Sequence, residues 1–526
     1  MTRVIAPRSA TAGAVAAGDV VRQRLGQIAP PLLGAEAAAE ATENTADLLD
    51  LLVGSVLADP APDRVWLLLV GLSGCFPDDP LMRRALRILE ISDRVGATLW
   101  LLDTAMTLST EAGTVDWPMA VVTGGVVLDV THSAEHDLHT GIQRVVRSTV
   151  PLWARHHDID TCAVVEGGFA MRRLHQRESD RVLRWSDTHE EAVDHHTSGL
   201  RQLEPDPVAD VLVVPWRSTV VLMEVPSRDT CDRLAALGEW SGNRLVAVGY
   251  DCIPIVSSLV VPLAEPNRFV HYLTAVKHTE VVAGISVSAT QEFRGFADML
   301  PSQGLTGPRV VECALPVDDG GRPEPGTPAA QHHADPLVVC VGSFEPRKNQ
   351  QAVLYAAEVL WREGLQFRLR FIGGSAWGNT VAREVARLAR RGRAVEMRTA
   401  VTDHELEASY REARFTVFVS KHEGYGLPLA ESIARGIPAV TTDFGSQREI
   451  ADVGGALTVD PRDDDAIVAA MRSLLTDDAL VDDLRRQIAA RPRRTWVDYA
   501  DELWDALGLP AGEPAGDATA ALPVGV

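Results

Sequence analysis

The segment Ser420-Lys-His-Glu-Gly-Tyr-Gly-Leu-Pro-Leu-Ala-Glu-Ser-Ile-Ala-Arg-Gly436 sets one carboxylate, Glu423, in a glycine-rich turn and a second, Glu431, inside the helix that follows. Immediately before it, Phe415 to Val419 is short, β-branched and aromatic, the composition of a buried strand. Gly424 and Gly426 permit a tight turn and a close backbone approach to a ligand. Pro428 suits the first helical turn, Gly436 suits its end, and Pro438 forbids continuation. A strand, a glycine turn and a helix N-terminus together form an anion site, because unpaired amides and the helix dipole converge there. Two acids beside an anion site are explained by hydroxyl binding. Phosphate and polyol together describe a sugar nucleotide.

Working outward, a second alternating set of elements surrounds this segment. Its strands are Leu337 to Val341, Phe367 to Ile372, Val395 to Arg398, Phe415 to Val419 and Ile437 to Thr441, with Thr402 and Glu405 as a capping-box pattern opening a helix at Asp403. Upstream, residues 317–335 are rich in Gly and Pro and read as a linker. An earlier alternating set runs over residues 119–316, with strands at Val126 to Val130, Val211 to Val214, Leu245 to Val248, Val281 to Ile285 and Val310-Val311. A helix from Gly141 is expected to stop at Pro151. Strands alternating with helices imply parallel, doubly wound α/β sheets whose ligands lie at the carboxyl ends of the strands. Residues 1–118 carry mainly helical patterns and no chemical motif, and we assign them a packing or partner-protein role. There, Trp66 to Val70 and Thr98 to Leu102 fit either strand or buried helix. Residues 336–493 form the second domain and 494–507 a terminal helix with Trp496 and Tyr499 as packing anchors. The Ala-, Gly- and Pro-rich tail, 508–526, is expected to be disordered.

The chain has 526 residues and a net charge of -22. That balance argues against nucleic acid, whose capture rests on clustered Lys and Arg. A local strip of Arg387, Arg390, Arg391 and Arg393 could touch a membrane surface or simply form a solvated helix face. Six cysteines without paired spacing give neither a zinc pattern nor a disulfide framework, so a cytoplasmic location is expected. No apolar stretch approaches the length needed to span a bilayer.

A further cluster follows the strand at Leu337: Gly342-Ser-Phe-Glu-Pro-Arg347-Lys348-Asn349. Adjacent cations at the carboxyl end of a parallel strand can clamp a diphosphate through charge-assisted bonds. Together with Glu423 and Glu431, with Phe371-Ile-Gly-Gly374 and Trp377-Gly378, and with Val459-Asp-Pro461, this cluster resembles the family 4 retaining glycosyltransferases of the GT-B fold. The likeness covers about residues 336 to 507. More weakly, Thr140-Gly-Ile-Gln-Arg-Val145, Asp251-Cys-Ile-Pro254 and Ser286-Val-Ser288 are similar to acceptor-domain signatures of bacterial polysaccharide mannosyl- and rhamnosyltransferases.

The resemblance implies two Rossmann-like domains facing across a cleft and a hexosyltransferase that retains anomeric configuration. Glu423 would contact the donor sugar hydroxyls and Glu431 the ribose. Arg347 and Lys348 would bind the diphosphate, Gly342 and the amides around Gly424, Tyr425, Gly426 and Leu427 would line the donor site, and Gly141 would face the phosphates from the other domain. Asp251, in Tyr250-Asp251 where many relatives carry His-Asp, is the remaining catalytic candidate. No cofactor and no metal are expected: the substrates are a nucleotide diphosphate sugar and a glycan or lipid-linked glycan, the latter placing the protein at the inner face of a membrane. His132, His136 and His139 lack a partner acid or cysteine at metal-ligand spacing. His156-His157, His195-His196 and His332-His333 read as solvated pairs, His422 as a neighbour of the donor turn, and Trp377 as a nucleobase wall or packed core. The competing functions are an inactive nucleotide-sugar-binding scaffold and a sugar-nucleotide epimerase or phosphorylase of the same fold.

Overall fold

The computed structural model describes residues 10–40, 44–138, 140–185, 210–317, 335–374, 380–399 and 401–510. Trp377, His139, His195-His196, His332-His333, nearly all of the 317–335 linker and the tail beyond 510 lie outside them.

Among the described residues six helices precede the first strand: Ala10–Leu33, Ala35–Ala39, Thr45–Ala58, Pro62–Ser73, Asp79–Ile91 and Arg94–Ala112. Side chains of Asn44, Asp78 and Asp93 accept from backbone amides two or three residues further on, which satisfies donors a helix start leaves unpaired. Trp66 to Val70 and Thr98 to Leu102 are both helical. The first is buried all round, so it carries no amphipathic period that could have distinguished it from a strand.

The first sheet comprises β1 (Met119–Thr123), β2 (Val126–Asp129), β3 (Asp160–Val164), β4 (Met171–Arg173), β5 (Leu212–Trp216), β6 (Thr219–Leu222), β7 (Arg244–Gly249), β8 (Val281–Gly284) and β9 (Arg309–Glu312). Its order is β1-β5-β4-β3-β2-β6-β7-β8-β9. The sheet is parallel except for β4, which runs antiparallel to both neighbours, contrary to the wholly parallel expectation. The reason is local. β3 and β4 are joined by a short turn through Gly167 and Gly168, both at positive φ, and so short a link permits only antiparallel pairing.

The six helices share the first sheet's core: Leu25, Ile28, Trp66 and Leu68 pack in one cluster with Val127, Cys162, Leu212 and Leu245. At the sheet edge, the Gln23 amide donates to Met119 O at 2.7 Å and its oxygen accepts from Met119 N at 3.0 Å, so a side chain takes the place of a neighbouring strand.

The second sheet comprises β10 (Leu337–Val341), β11 (Arg368–Ile372), β12 (Val395–Arg398), β13 (Ala413–Phe418), β14 (Ala439–Thr442) and β15 (Ala456–Val459), all parallel, in the order β12-β11-β10-β13-β14-β15. Chain order reverses between β10 and β13 here and between β2 and β6 in the first sheet. These switch points are where open α/β sheets bind ligands. The two lobes form the facing α/β pair expected of the GT-B fold.

The helix Gly141–His156 continues through Pro151 rather than ending there. Removing one amide is outweighed because the following turn buries Trp153, whose Nε1 donates to Ala500 O at 2.8 Å and whose ring meets Trp504 edge-on at 5.3 Å. His157 stacks on Trp504 at 3.6 Å, so it is not the solvated histidine expected, and burial lowers its pKa. These contacts fix the helix Trp496–Ala506, which follows the second sheet, against the first lobe. The arginine strip is partly neutralised, Arg387 by Glu384 at 2.7 Å and Arg393 by Glu358 at 3.0 Å. Among the described residues no helix is long and apolar enough to cross a membrane.

Candidate functional site

Beyond β13 the chain turns at Ser420 to Gly426 and enters the helix Leu427–Ala434, with Pro428 in its first turn and Gly426 capping it at a φ of 108°. The adjacent strand, β10, leads into the turn Pro346–Lys348. Lys421 N donates to Arg347 O at 2.8 Å and ties the two loops together across the switch point. Gly373 must be glycine, since a Cβ there would lie 2.1 Å from Gly342 O.

Glu423 is buried and holds both neighbouring cations: Arg347 Nη1 donates to Oε2 at 2.6 Å and Lys348 Nζ to Oε1 at 2.7 Å. Burial alone would raise its pKa, but Arg347 and Lys348 bring it down to about 2, so the carboxylate is ionised at any physiological pH. Arg347 also donates to His422 O at 2.9 Å and to Glu345 at 3.3 Å, which fixes the plane of its guanidinium.

The first lobe closes on this centre. A Cβ at Gly424 would fall 2.5 Å from Tyr250 O and 2.9 Å from Asp251 Oδ2, so only glycine admits the approach. Asp251 is thereby placed beside Arg347 and Glu423. Burial raises its pKa to about 6 despite Arg347, with Glu292 adding to the rise. His422 joins the lobes through Glu292 at 2.6 Å and Ser257 at 2.7 Å; burial pulls its pKa down, but the Glu292 carboxylate outweighs that and raises it. Ser286 Oγ donates to Gly424 O at 2.7 Å, and Glu449 accepts from Val287 N and Ser288 N at 2.9 and 2.8 Å. The Tyr425 hydroxyl donates to Leu315 O at 2.8 Å, so its side chain serves the lobe contact and only its backbone faces the turn. Gly141 abuts Leu427, whose Cδ1 would be 3.3 Å from a Cβ placed there.

Glu431 lies one turn into its helix and is buried. The Tyr410 hydroxyl donates to its Oε2 at 2.8 Å, and Arg144 of the first lobe pairs with its Oε1. The structure thus gathers Glu423, Arg347, Lys348 and Asp251 at one point, with Gly141, Gly342, the Gly424–Leu427 turn and Glu431 around it. Arg144, Tyr410, Glu292 and Glu449 were not among the sequence candidates. Arg144 belonged to a quoted motif and could have been found; the others carry no local signal. Among the described residues no three His, Cys, Asp or Glu side chains converge as metal ligands. His132 and His136 have ring centres 6.0 Å apart.

At the first sheet's switch point lies a cavity of about 380 Å³ whose lining mixes Val164, Val165 and Pro226 with Asp129, His132 and Glu224. Glu224 accepts from His132 N at 2.7 Å, Ser133 N at 3.0 Å and Ser133 Oγ at 2.7 Å, and Asp129 accepts from Thr131 Oγ1 at 2.5 Å. Burial raises the pKa of both acids.

Residues 328–494 match the model of the family described as glycosyl transferases group 1. The O-antigen chain mannosyltransferase B of Escherichia coli is 33% identical over 140 residues, 26% of this chain and 36% of that protein. Serotype-specific mannosyltransferase WbdA of Escherichia coli is 31% identical over 119 residues, 22% of this chain and 15% of the relative. Another protein of that name and organism is 23% identical over 344 residues, 62% of this chain and 40% of its own length. The matched stretches therefore span well under two thirds of these relatives. Among solved structures, the apo form of lipopolysaccharide outer core galactosyltransferase WaaB superposes with a TM-score of 0.47 at 13% identity, over 73% of this chain and 99% of that one.

Proposed function

We propose that this chain, whose residues 328–494 match the glycosyl transferases group 1 model, moves a hexose from a nucleotide diphosphate sugar to a glycan or glycolipid acceptor with retention of configuration. The observation that carries the proposal is the ion-paired trio of Arg347, Lys348 and buried Glu423 at the switch point of the second sheet. Breaking a bond from sugar to diphosphate builds negative charge on the leaving oxygen. Fixed cations and helix-terminal amides lower that barrier because they gain most at the transition state. Glu423, held ionised, orients both cations and accepts from sugar hydroxyls. Glu431 takes the ribose. Retention follows if the acceptor attacks from the leaving-group side and the departing phosphate takes its proton.

The two named relatives are mannosyltransferases, which favours mannose, with a deoxyhexose as the other candidate. We assign the acceptor to the side of the cleft that carries Asp251 and the cavity of the first lobe. A lipid-linked acceptor would bring the enzyme to the cytoplasmic face of a membrane. Because Arg347 and Lys348 supply the positive charge, we expect activity without added divalent metal.

A thermal-shift screen of GDP-, UDP- and dTDP-sugars identifies the donor, since a ligand bound only by the folded state raises its apparent stability. Transfer of radiolabel from that donor to a glycan, with and without EDTA, tests the reaction, and the anomeric proton coupling of the product tests retention. Binding without transfer or hydrolysis would leave a donor-binding scaffold. Failure to bind any nucleotide sugar would overturn the proposal.

A further inference from the structure

Both oxygens of Glu431 are occupied, by Tyr410 from the same lobe and by Arg144 from the other. The two partners differ in how readily they can leave. Tyr410 is completely buried, and burial together with the Glu431 charge pushes its hydroxyl pKa far upward, so it stays a proton donor with nowhere to move. The Arg144 side chain keeps 23% of its surface exposed and comes from the first turn of the helix Gly141–His156 of the other lobe. A ribose diol binds a carboxylate best through two hydroxyls, each donating to an oxygen. Each oxygen keeps a second lone pair, so Tyr410 can stay; Arg144, which reaches Glu431 from the other lobe and can regain water, is the partner that an incoming diol would displace.

We propose that Arg144 is a further donor-site residue, supplied by the first lobe, that competes with ribose for Glu431 and so sets nucleotide affinity; this rests on the donor reading above. Releasing the pair does not require the lobes to part. Ser286 on Gly424, Glu449 on Val287 and Ser288, Tyr425 on Leu315 and Trp153 on Ala500 all bridge them independently of Arg144. The guanidinium therefore acts as a movable occupant of the ribose position. The apparent affinity is reduced by the fraction of molecules in which it is seated.

The test is titration calorimetry of the full chain with GDP, UDP and dTDP. Arg144→Met keeps the length of the side chain but cannot pair with Glu431. Its dissociation constant for the preferred nucleotide should fall about threefold to tenfold, with Arg144→Lys in between. In a Glu431→Gln background the same Arg144→Met change should leave the constant unmoved. A purely structural role would give the opposite sign, because loss of a partner for a buried acid loosens the site. An unchanged or weaker constant in Arg144→Met, with binding intact in the wild type, overturns the proposal and leaves the donor reading standing. No nucleotide bound by wild type or variants overturns both. If Arg144→Met does not fold, Arg144→Lys decides, and a constant at or above the wild-type value counts against the proposal.

Discussion

Four acids near the two switch points are displaced in opposite directions. In the second lobe Glu423 has its pKa brought down to about 2, whereas in the first lobe Asp129, Glu224 and Asp251 are all pushed upward. Burial is common to all four, so it cannot be the difference. Glu423 faces two cations delivered by the turn after β10, while Asp129 and Glu224 are bonded by neutral amides and hydroxyls with the Asp129 charge adding to the rise of Glu224, and Asp251 has Arg347 against the charges of Glu292 and Glu423. Neutral donors satisfy lone pairs but do not offset the cost of an anion in a poor dielectric. The second lobe is thus equipped to hold negative charge as it develops. The first keeps carboxyls that burial shifts upward. The lobes also differ in self-sufficiency: much of the second sheet's core is its own, whereas the first sheet's is completed by the six leading helices.

The strongest way to break the comparison is to express residues 119–526 without those helices. Leu212, Val213 and Leu237 would lose their cover, and we expect aggregated protein. A soluble product with a cooperative melt would show that the first lobe stands without them. Next in size is Glu423→Gln, which removes the carboxylate that pairs with both Arg347 and Lys348, leaving Arg347 its pair with Glu345. Turnover should fall about a hundredfold or more, and stability by roughly 3 kcal/mol, read by rapid-quench kinetics and urea unfolding. A pKa lowered in the folded state stabilises fully above the unfolded value near 4.5, and that contribution is lost as pH falls toward 2. The stability gap between wild type and variant should therefore close over that window.

Asp251→Asn sharpens the contrast because its stability effect has the other sign. A pKa raised to about 6 means the wild type loses stability as pH rises from the unfolded value near 4 up to 6. The variant should be more stable than wild type at pH 7.5 by about 1–3 kcal/mol and equal to it near pH 4, while turnover falls. A variant less stable at pH 7.5 would mean that the Asp251 charge is satisfied after all. The smallest effect is expected from His422→Gln. A raised histidine pKa stabilises below the unfolded value of about 6.5 and the benefit fades as pH rises through the folded one. Wild type should lose about a degree or two of melting temperature on alkalinisation that the variant does not lose. Identical pH profiles would remove the His422–Glu292 pair as a pH-dependent tie between the lobes.

Much of the second lobe was legible because its signals are local. The strand before Ser420, Pro428 in the first helical turn and the Thr402–Glu405 capping box are each settled within a few residues. In the first lobe the signals fail for identifiable reasons. β4 is only three residues long, β5 and β6 are separated by two residues and blur into one apolar run, and Pro151 sits in a helix whose stability comes from Trp153 meeting Trp504.

By itself the sequence determined that two α/β lobes flank a glycine-rich turn and that Glu423, Glu431, Arg347 and Lys348 belong near it, because strand period, proline, glycine and charge act over a single turn of chain. Only the tertiary structure decided which charges meet. Arg144 and Glu431 are 287 positions apart, and Glu292 and His422 are 130 apart. Such pairings are fixed by how the lobes close, through Gly424 against Asp251 and Gly141 against Leu427, and no local periodicity encodes that closure.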